Sequence, residues 1–174
     1  MGETLKTIRE RRSVKSYKPD MVPEEIVQKI VEAGTWAPSG MGRQSAIIVA
    51  VTNKELRDRL SRMNAKIMGT DMDPFYGAPV VLIVLADKTV PTHVYDGALV
   101  MENLMLAAQD LGIGSCWIGN FWSNLQQEKS GPSRWDGVII KKERHTMLLY
   151  NSATHKKEEF TTHTPGRVEM YTCG

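Results

Sequence analysis

The longest apolar run of the chain, residues 78–86 (APVVLIVLA), constrains its fold more than any other feature. Residues 79–86 lack the polar alternation of a half-exposed strand, so they predict a strand that is buried on both faces of a sheet. A membrane-spanning helix needs roughly 20 apolar residues, and this run is too short to form one.

Helices and strands alternate around this run. Pro23 and Glu24 are typical of a helix start, Gly34 of its end, and Asn53 of the cap of a later helix. Taken alone, the alternation favours an open, doubly wound parallel sheet. The predicted helices cover residues 4–11, 23–34, a segment after Asn53, and 94–111, and the predicted strands cover 46–52, 79–86, 114–118 and 145–150.

Composition and charge exclude several classes of protein. The chain has 174 residues, of which 41% are hydrophobic and 24% charged, which predicts one globular domain over residues 1–174. The net charge of +2 indicates no nucleic-acid or membrane partner. The two cysteines predict no disulfide framework, and the four histidines lack the spacing of paired metal ligands and so predict no metal site. Residues 1–4 open without an apolar signal, so we expect a cytoplasmic protein.

A basic cluster follows the first predicted helix and surrounds Ser13. Guanidinium groups match phosphate oxygens in geometry, and a serine hydroxyl adds a further hydrogen bond, so phosphate is the natural ligand. A solvated basic face is the alternative that charge alone leaves open. The cluster consists of Arg9, Arg11, Arg12, Lys15 and Lys18.

Two glycine-rich segments, residues 37–44 and 111–119, offer backbone that a ligand could approach closely. A plain turn in the first segment and an ordinary buried strand in the second are the alternatives. The second segment is not a dinucleotide-binding turn, because Trp117 stands where the third glycine would fall and a helix precedes it. Hydrolase and P-loop motifs are missing from the sequence, which favours chemistry that a cofactor performs.

Several of these segments together resemble the nitroreductase-like FMN-dependent NAD(P)H oxidoreductases. The resemblance runs in order from residue 5 to about residue 119. The motifs that carry it are residues 11–17 (RRSVKSY), 23–25 (PEE), 33–44 (AGTWAPSGMGRQ), 73–79 (DPFYGAP) and 96–119 (DGALVMENLMLAAQDLGIGSCWIG).

The resemblance implies an α+β fold with a mixed, largely antiparallel central sheet flanked by helices. It also implies an obligate homodimer that binds one FMN per subunit at its interface. It places Lys15 near the pyrimidine side of the flavin as electrostatic support, with no catalytic side chain required. The implied cofactor-binding residues are Arg11, Arg12, Ser13, Lys15, Pro38, Ser39, Gly40, Gln44, Cys116, Trp117, Ile118, Gly119 and a C-terminal basic residue, Arg167 or the pair Lys156–Lys157.

The sequence departs from the family pattern at defined positions. Gly42 stands where the family often has Asn, and Ser45 stands where it has Pro. Residues 120–174 diverge from the family. Within them, the segment Leu149, Tyr150 and Asn151 matches the usual family pattern only in part.

The resemblance implies hydride transfer from NAD(P)H, through flavin N5, to an electron-poor nitroaromatic or quinone acceptor in a ping-pong cycle. A flavin-binding sensor or storage module without NAD(P)H turnover is the alternative. A specialised flavin enzyme with an extra substrate-capping segment is a further alternative, but residues 120–144 are too short and too polar to indicate such a segment. A protein that binds no flavin is the last alternative.

Overall fold

A computed structural model of the protein describes residues 2–119, 148–151 and 156–158. The described part contains four α-helices, four strands and one 3-10 turn. They are α1 (Glu3–Glu10), α2 (Glu24–Thr35), the 3-10 turn (Gly40–Gly42), β1 (Ala46–Val51), α3 (Lys54–Met68), β2 (Val81–Ala86), α4 (His93–Asp110), β3 (Leu148–Asn151) and β4 (Lys156–Glu158).

The four described strands form one sheet in the order β2-β1-β3-β4, and every neighbouring pair is antiparallel. In its register Ile48 lies opposite Val84 on one side and Tyr150 on the other. The antiparallel α+β architecture that the resemblance implied is therefore confirmed. The doubly wound sheet that the alternation favoured is wrong, because the order of helices and strands does not record strand direction.

Helices cover both faces of this sheet. On one face α2 and α4 pack on β1, and the core there includes Val31, Ile48 and Leu104. Leu56 and Leu60 of α3 pack against the other face. Burial of aliphatic side chains on both faces supplies the main stabilising free energy of such a sheet.

The contact between α2 and α4 is close at Gly34. A Cβ atom on Gly34 would lie 2.7 Å from Cδ2 of Leu104 and 2.8 Å from Cδ1 of Ile48. Gly34 was predicted to end α2, but the helix continues to Thr35. The glycine therefore serves the packing of two helices against the sheet rather than helix termination.

The apolar run forms β2, as predicted, but only its second half is fully buried. Residues 84–86 are buried, whereas residues 81–83 are half-buried. Within the described strands β2 lies at the edge of the sheet, and residues 81–83 border a cavity. Burial on both faces therefore holds for only half of the strand.

Two further predictions concern the ends of elements. Asn53 caps α3 as predicted, since its Oδ1 accepts a hydrogen bond of 2.9 Å from the backbone N–H of Leu56. Residues 114–118 do not form the predicted strand; Ser115 makes a single parallel bridge to Ser13. Gly112, at φ +74°, turns the chain between α4 and this segment.

The last predicted core strand, residues 145–150, overlaps β3, which begins at Leu148. The predicted divergent region, residues 120–174, lies mostly outside the described residues. In the portion that the structure covers, every helix is too short or too polar to cross a bilayer.

Candidate cofactor site

The turn after α1 and the segment after α4 lie side by side. The backbone N–H of Val14 donates a hydrogen bond of 2.9 Å to the carbonyl of Ser115, and Ser13 bridges Ser115. A Cβ atom on Gly114 would lie 2.9 Å from Cγ2 of Val14, so the glycine permits this approach. Two motifs about 100 residues apart in sequence therefore form one wall.

Basic side chains surround the turn. Arg11 follows the last residue of α1, and its N–H donates to the carbonyl of Thr7. The guanidinium of Arg12 donates through Nη1 to the carbonyls of Arg9, at 2.6 Å, and Arg11, at 2.7 Å. A cation is favourable there, because carbonyls at a helix C-terminus lack helical partners and carry partial negative charge. Ser13 itself is exposed beside these cations.

A cavity of about 570 Å³ lies between this wall, β2 and α4. Its volume falls within the range of small-molecule sites, roughly 300–1,000 Å³. Its lining is mainly apolar, which suits a flat aromatic ligand. Residues that line it include Val14, Tyr17, Val81, Met105, Cys116, Trp117 and Ile118.

Tyr17 is a half-buried phenol in the cavity wall. Burial, and to a smaller extent the neighbouring Cys116 and Tyr76, raises the pKa of Tyr17 to about 12. The phenol therefore stays protonated at neutral pH. Cys116 is a free, half-buried thiol whose Sγ lies 3.6 Å from the carbonyl of Trp117.

The glycine-rich loop of residues 39–45 is fastened to the first turn of α4. The buried carboxylate of Asp96 accepts hydrogen bonds from the Gly40 N–H at 2.9 Å, the Ser45 hydroxyl at 3.0 Å and the Thr92 hydroxyl at 2.9 Å. Within the loop, the N–H of Gln44 donates to Oγ of Ser39 at 2.8 Å. Ser45, where the family has proline, is thus a hydrogen-bond donor to Asp96.

Three residues of this loop have left-handed backbone conformations: Met41 at φ 56°, Gly42 at φ 64° and Gln44 at φ 48°. Such conformations are costly for L side chains and persist where the surroundings enforce them. A Cβ atom on Gly42 would meet nothing within 4 Å. Glycine is therefore suited here for its conformation, and the asparagine common in the family also tolerates that conformation.

A second anchor holds the loop between α3 and β2. The carboxylate of Asp73 accepts hydrogen bonds from the guanidinium of Arg57, the Ser61 hydroxyl at 2.5 Å, and the N–H groups of Phe75 at 3.0 Å and Gly77 at 2.8 Å. Partial burial raises the pKa of Asp73, but these hydrogen bonds outweigh it and lower the pKa to about 2.

Tyr76 occupies the turn that Asp73 holds. Its backbone is left-handed, at φ 53°, and its N–H donates to the Asp73 carbonyl at 3.1 Å. The Nζ of Lys15 lies 5.7 Å from the centroid of the Tyr76 ring, within the range of a cation–π contact.

The structure brings together two of the three predicted groups of site residues. Arg11, Arg12, Ser13 and Lys15 lie on the turn that contacts residue 115, and Cys116, Trp117 and Ile118 line the cavity, with Gly119 next in the chain. The third group, Pro38, Ser39, Gly40 and Gln44, belongs to the loop fastened to α4. There the N–H of Gly40 is bonded to Asp96. Arg167 lies outside the described residues, as do the side chains of Lys156 and Lys157.

Four residues of this region lie in the motifs of the resemblance but were not predicted as site residues: Tyr17, Asp73, Tyr76 and Asp96. Asp96 had a detectable signal, since it is a carboxylate in an otherwise apolar helix face. Asp73 precedes Pro74 in a turn-forming segment, but its partners Arg57 and Ser61 are distant in sequence. Within the ranges that the structure covers, His, Cys, Asp and Glu form no group of three that could hold a metal ion.

The fold and this site define an α+β protein with a basic turn beside an apolar cavity. A sequence model of the nitroreductase family matches residues 8–70 and 64–125 of the chain. The chain belongs to the nitroreductase family.

Solved structures of the family share the fold. A nitroreductase with bound FMN from Desulfitobacterium hafniense superimposes with a TM-score of 0.66 at 32% identity, covering 73% of this chain and 75% of that one. A nitroreductase with bound FMN from Bacteroides fragilis gives a TM-score of 0.64 at 27% identity, covering 84% of this chain and 96% of that one.

The chain is shorter than the curated relatives it matches. The FMN reductase of Bacillus subtilis is 26% identical over 144 residues, which cover 73% of this chain and 58% of that protein. A relative from Methanothermobacter thermautotrophicus is 29% identical, and the match covers 61% of its length. The chain thus spans about three-fifths of the length of these two relatives.

Proposed function

We propose that the protein is an FMN-dependent oxidoreductase that transfers a hydride from NAD(P)H to an electron-poor acceptor of nitroaromatic or quinone type in a ping-pong cycle. One observation carries this proposal: the basic turn at residues 11–15 packs against the wall of an apolar cavity. An anionic group and a flat aromatic group could be bound there by adjacent parts of one site. Solved family members with bound FMN support the choice of cofactor.

The residues present fit FMN. Arg11, Arg12 and Ser13 would hold its phosphate and ribityl chain through guanidinium and hydroxyl donors. The apolar wall that includes Cys116, Trp117 and Ile118 would lie along the ring system. When bound, FMN would supply the hydride-accepting centre, so the site would need no acid–base dyad of its own.

Lys15 would provide electrostatic support. It lies on the turn that contacts Ser115, and its ammonium group lies 5.7 Å from the ring centroid of Tyr76. A positive charge held in a partly dry site stabilises negative charge that develops on a neighbouring ligand. We propose that this is the function of Lys15 towards the pyrimidine side of the flavin.

We propose that the protein is a homodimer. Apolar side chains are exposed on α4 and on the loop fastened to it: Tyr95 is 72% exposed, Met41 74% and Leu99 44%. Tyr95 and Leu99 lie one turn apart on α4 and so share a face of that helix, and exposed apolar groups that lie together are typical of an interface. A second copy seated on this face and on the loop fastened to it would bring Pro38, Ser39 and Gln44 to the partner's cofactor.

The test of the proposed activity uses the absorbance of the purified protein after reconstitution with FMN and removal of excess cofactor. We expect the bands of bound oxidised flavin, and we expect them to disappear on anaerobic addition of NADH or NADPH. Protein that retains no FMN would refute the proposal. Protein that binds FMN but is not bleached by either nucleotide would be a binding module instead.

Two matched variants distinguish a specific contact with the FMN phosphate from a general effect of the protein's net charge on FMN affinity. Arg11→Ala removes a cation of the basic turn, whereas Lys54→Ala removes an exposed cation paired with Asp58 on α3. Loss of one phosphate contact should weaken FMN binding about tenfold or more, because charge-assisted hydrogen bonds contribute roughly 1.5–3 kcal/mol. Equal affinities in the two variants would contradict the assigned role of the turn.

Light scattering at several protein concentrations tests the dimer. The substitution Tyr95→Glu should dissociate it and release FMN, whereas Lys54→Glu should do neither. A monomer that keeps FMN would exclude the dimer.

We also propose a single domain over residues 1–174. We further propose a cytoplasmic location, which the low content of two cysteines supports.

A further inference from the structure

We propose that Tyr76 is a positioning residue for Lys15, and that it thereby sets how strongly the site prefers reduced over oxidised FMN. The proposal rests on the proposed function, because it concerns the cofactor assigned there. It is carried by three observations: the contact between the two side chains, the strained turn that presents the ring, and the half-buried Asp73 anchor that holds the turn.

The contact is a cation above an aromatic face. Nζ of Lys15 lies 5.7 Å from the ring centroid of Tyr76. Lys15 is exposed and its four-carbon side chain is flexible, so without a partner its ammonium group would sample many positions. The electron-rich face of the ring restricts that sampling through electrostatic attraction.

The turn that presents the ring of Tyr76 has a strained backbone conformation. Tyr76 has φ 53° and Gly77 has φ 77°, so a non-glycine residue occupies the left-handed region in the middle of the turn. Most bulky residues avoid that region, and conformations of this kind cluster at functional sites. The Tyr76 side chain remains 36% exposed, so burial of its ring does not by itself account for the left-handed backbone.

The anchor explains how the strained turn persists. Asp73 binds the N–H groups of Phe75 and Gly77, on either side of Tyr76, and is itself bonded to Arg57 and Ser61 of α3. The Nε–H of Arg57 also donates to the carbonyl of Ala78 at 2.8 Å, on the far side of the turn. The backbone that carries the ring is therefore held from both sides of Tyr76.

The consequence for the cofactor follows from charge. Reduction adds negative charge to the flavin, so a cation held nearby stabilises the reduced form more than the oxidised form. A lysine that is free to move away provides less of this differential stabilisation. Tyr76 would thus act on cofactor preference through Lys15 without touching the cofactor itself.

The experiment measures the dissociation constants of oxidised and reduced FMN for the full-length protein and its variants. The ratio of the oxidised to the reduced constant should fall about two- to fivefold in Tyr76→Leu, the equivalent of a cation–π contact at an exposed site. Tyr76→Phe keeps an aromatic face and should leave the ratio unchanged. An equal ratio in Tyr76→Leu and wild type would overturn the proposal.

A double-mutant cycle distinguishes positioning from a structural effect. In a Lys15→Met background, Tyr76→Leu should not change the ratio further, whereas a purely structural role would lower it equally in both backgrounds. If Tyr76→Leu does not fold, a series of progressively fluorinated phenylalanines at position 76 replaces it. The ratio should then fall with each added fluorine as the ring face loses electron density, and a flat series would overturn the proposal.

Failure of this inference differs from failure of the proposed function. Wild-type protein that does not bind FMN refutes the proposed function. Wild-type protein that binds FMN and is reduced by NAD(P)H, with a ratio insensitive to residue 76, refutes only the positioning role of Tyr76.

Discussion

Replacement of Asp96 by alanine should destabilise the protein by about 3 kcal/mol. The buried carboxylate accepts three hydrogen bonds, from Gly40, Ser45 and Thr92, at 2.9–3.0 Å. Hydrogen bonds to a charged group contribute roughly 1.5–3 kcal/mol each, and part of that sum is offset because burying the carboxylate, 3% exposed, itself costs free energy. The bonds share one acceptor, so their contributions do not simply add.

Asp96→Asn is the matched control. The amide keeps one acceptor oxygen for the Gly40 N–H, and the hydroxyls of Ser45 and Thr92 can rotate to accept hydrogen bonds from its nitrogen. Its cost should be about 1 kcal/mol, from the loss of charge assistance and of a favourable anion near a helix N-terminus. The difference between the two variants, about 2 kcal/mol, isolates the hydrogen bonds from the charge.

Urea unfolding of the apoprotein at a fixed protein concentration measures both variants. With a slope of roughly 2 kcal/mol/M, the midpoint should fall by about 1.5 M for Asp96→Ala and by about 0.5 M for Asp96→Asn. Lys54→Ala, on the exposed side of α3, should leave the midpoint unchanged. If the alanine and asparagine variants unfold at the same urea concentration, the anchoring of residues 39–45 by Asp96 is wrong.

Three more predictions follow from packing and from shifted pKa values. Gly34→Ala should cost about 1–3 kcal/mol through overpacking against Leu104, and thermal unfolding should show a smaller cost of Gly34→Ala in a Leu104→Ala background than in wild type. The pKa of Asp73 is lowered to about 2, so its stabilisation is present above pH about 4 and is lost as the pH falls towards 2. The Asp73 carboxylate is 32% exposed, so solvent screening reduces its contribution to the free energy of unfolding to about 1 kcal/mol. Acid unfolding of Asp73→Asn should not show this loss of stability between pH about 4 and 2. The pKa of Tyr17 is raised to about 12, so its stabilisation is present below pH about 10 and is lost as the pH rises towards 12. Tyrosinate absorbance of the native protein should show a late step that Tyr17→Phe removes; a titration identical to wild type would contradict the assignment.

Local patterns in the sequence predicted the local structure well. The Asn53 cap and the apolar run of β2 are set by neighbouring residues, and the structure contains both. Strand direction was not predictable in this way, because it depends on which strands pair across the sheet. The antiparallel arrangement was predicted from the resemblance to a family and not from the periodicity of apolar residues.

The anchors of the site were beyond sequence reasoning for a related reason. Asp73 acts through Arg57 and Ser61, and Asp96 acts through Gly40 and Ser45, which lie far from it in the chain. Composition reveals that such groups exist but not which of them meet. The roles of the basic turn remain predictions until FMN binding is measured.

The bridge between Ser13 and Ser115 has a consequence for how the protein acquires its site during folding. The two residues are separated by most of the described N-terminal portion of the chain. Closing so long a loop costs entropy, which only the packing of the intervening helices and sheet can offset. The cavity wall should therefore assemble late, after α2, β1 and α4 have come together. Newly made protein would then gain its affinity for cofactor in the last stage of folding, so cofactor capture would report completion of the fold rather than initiate it.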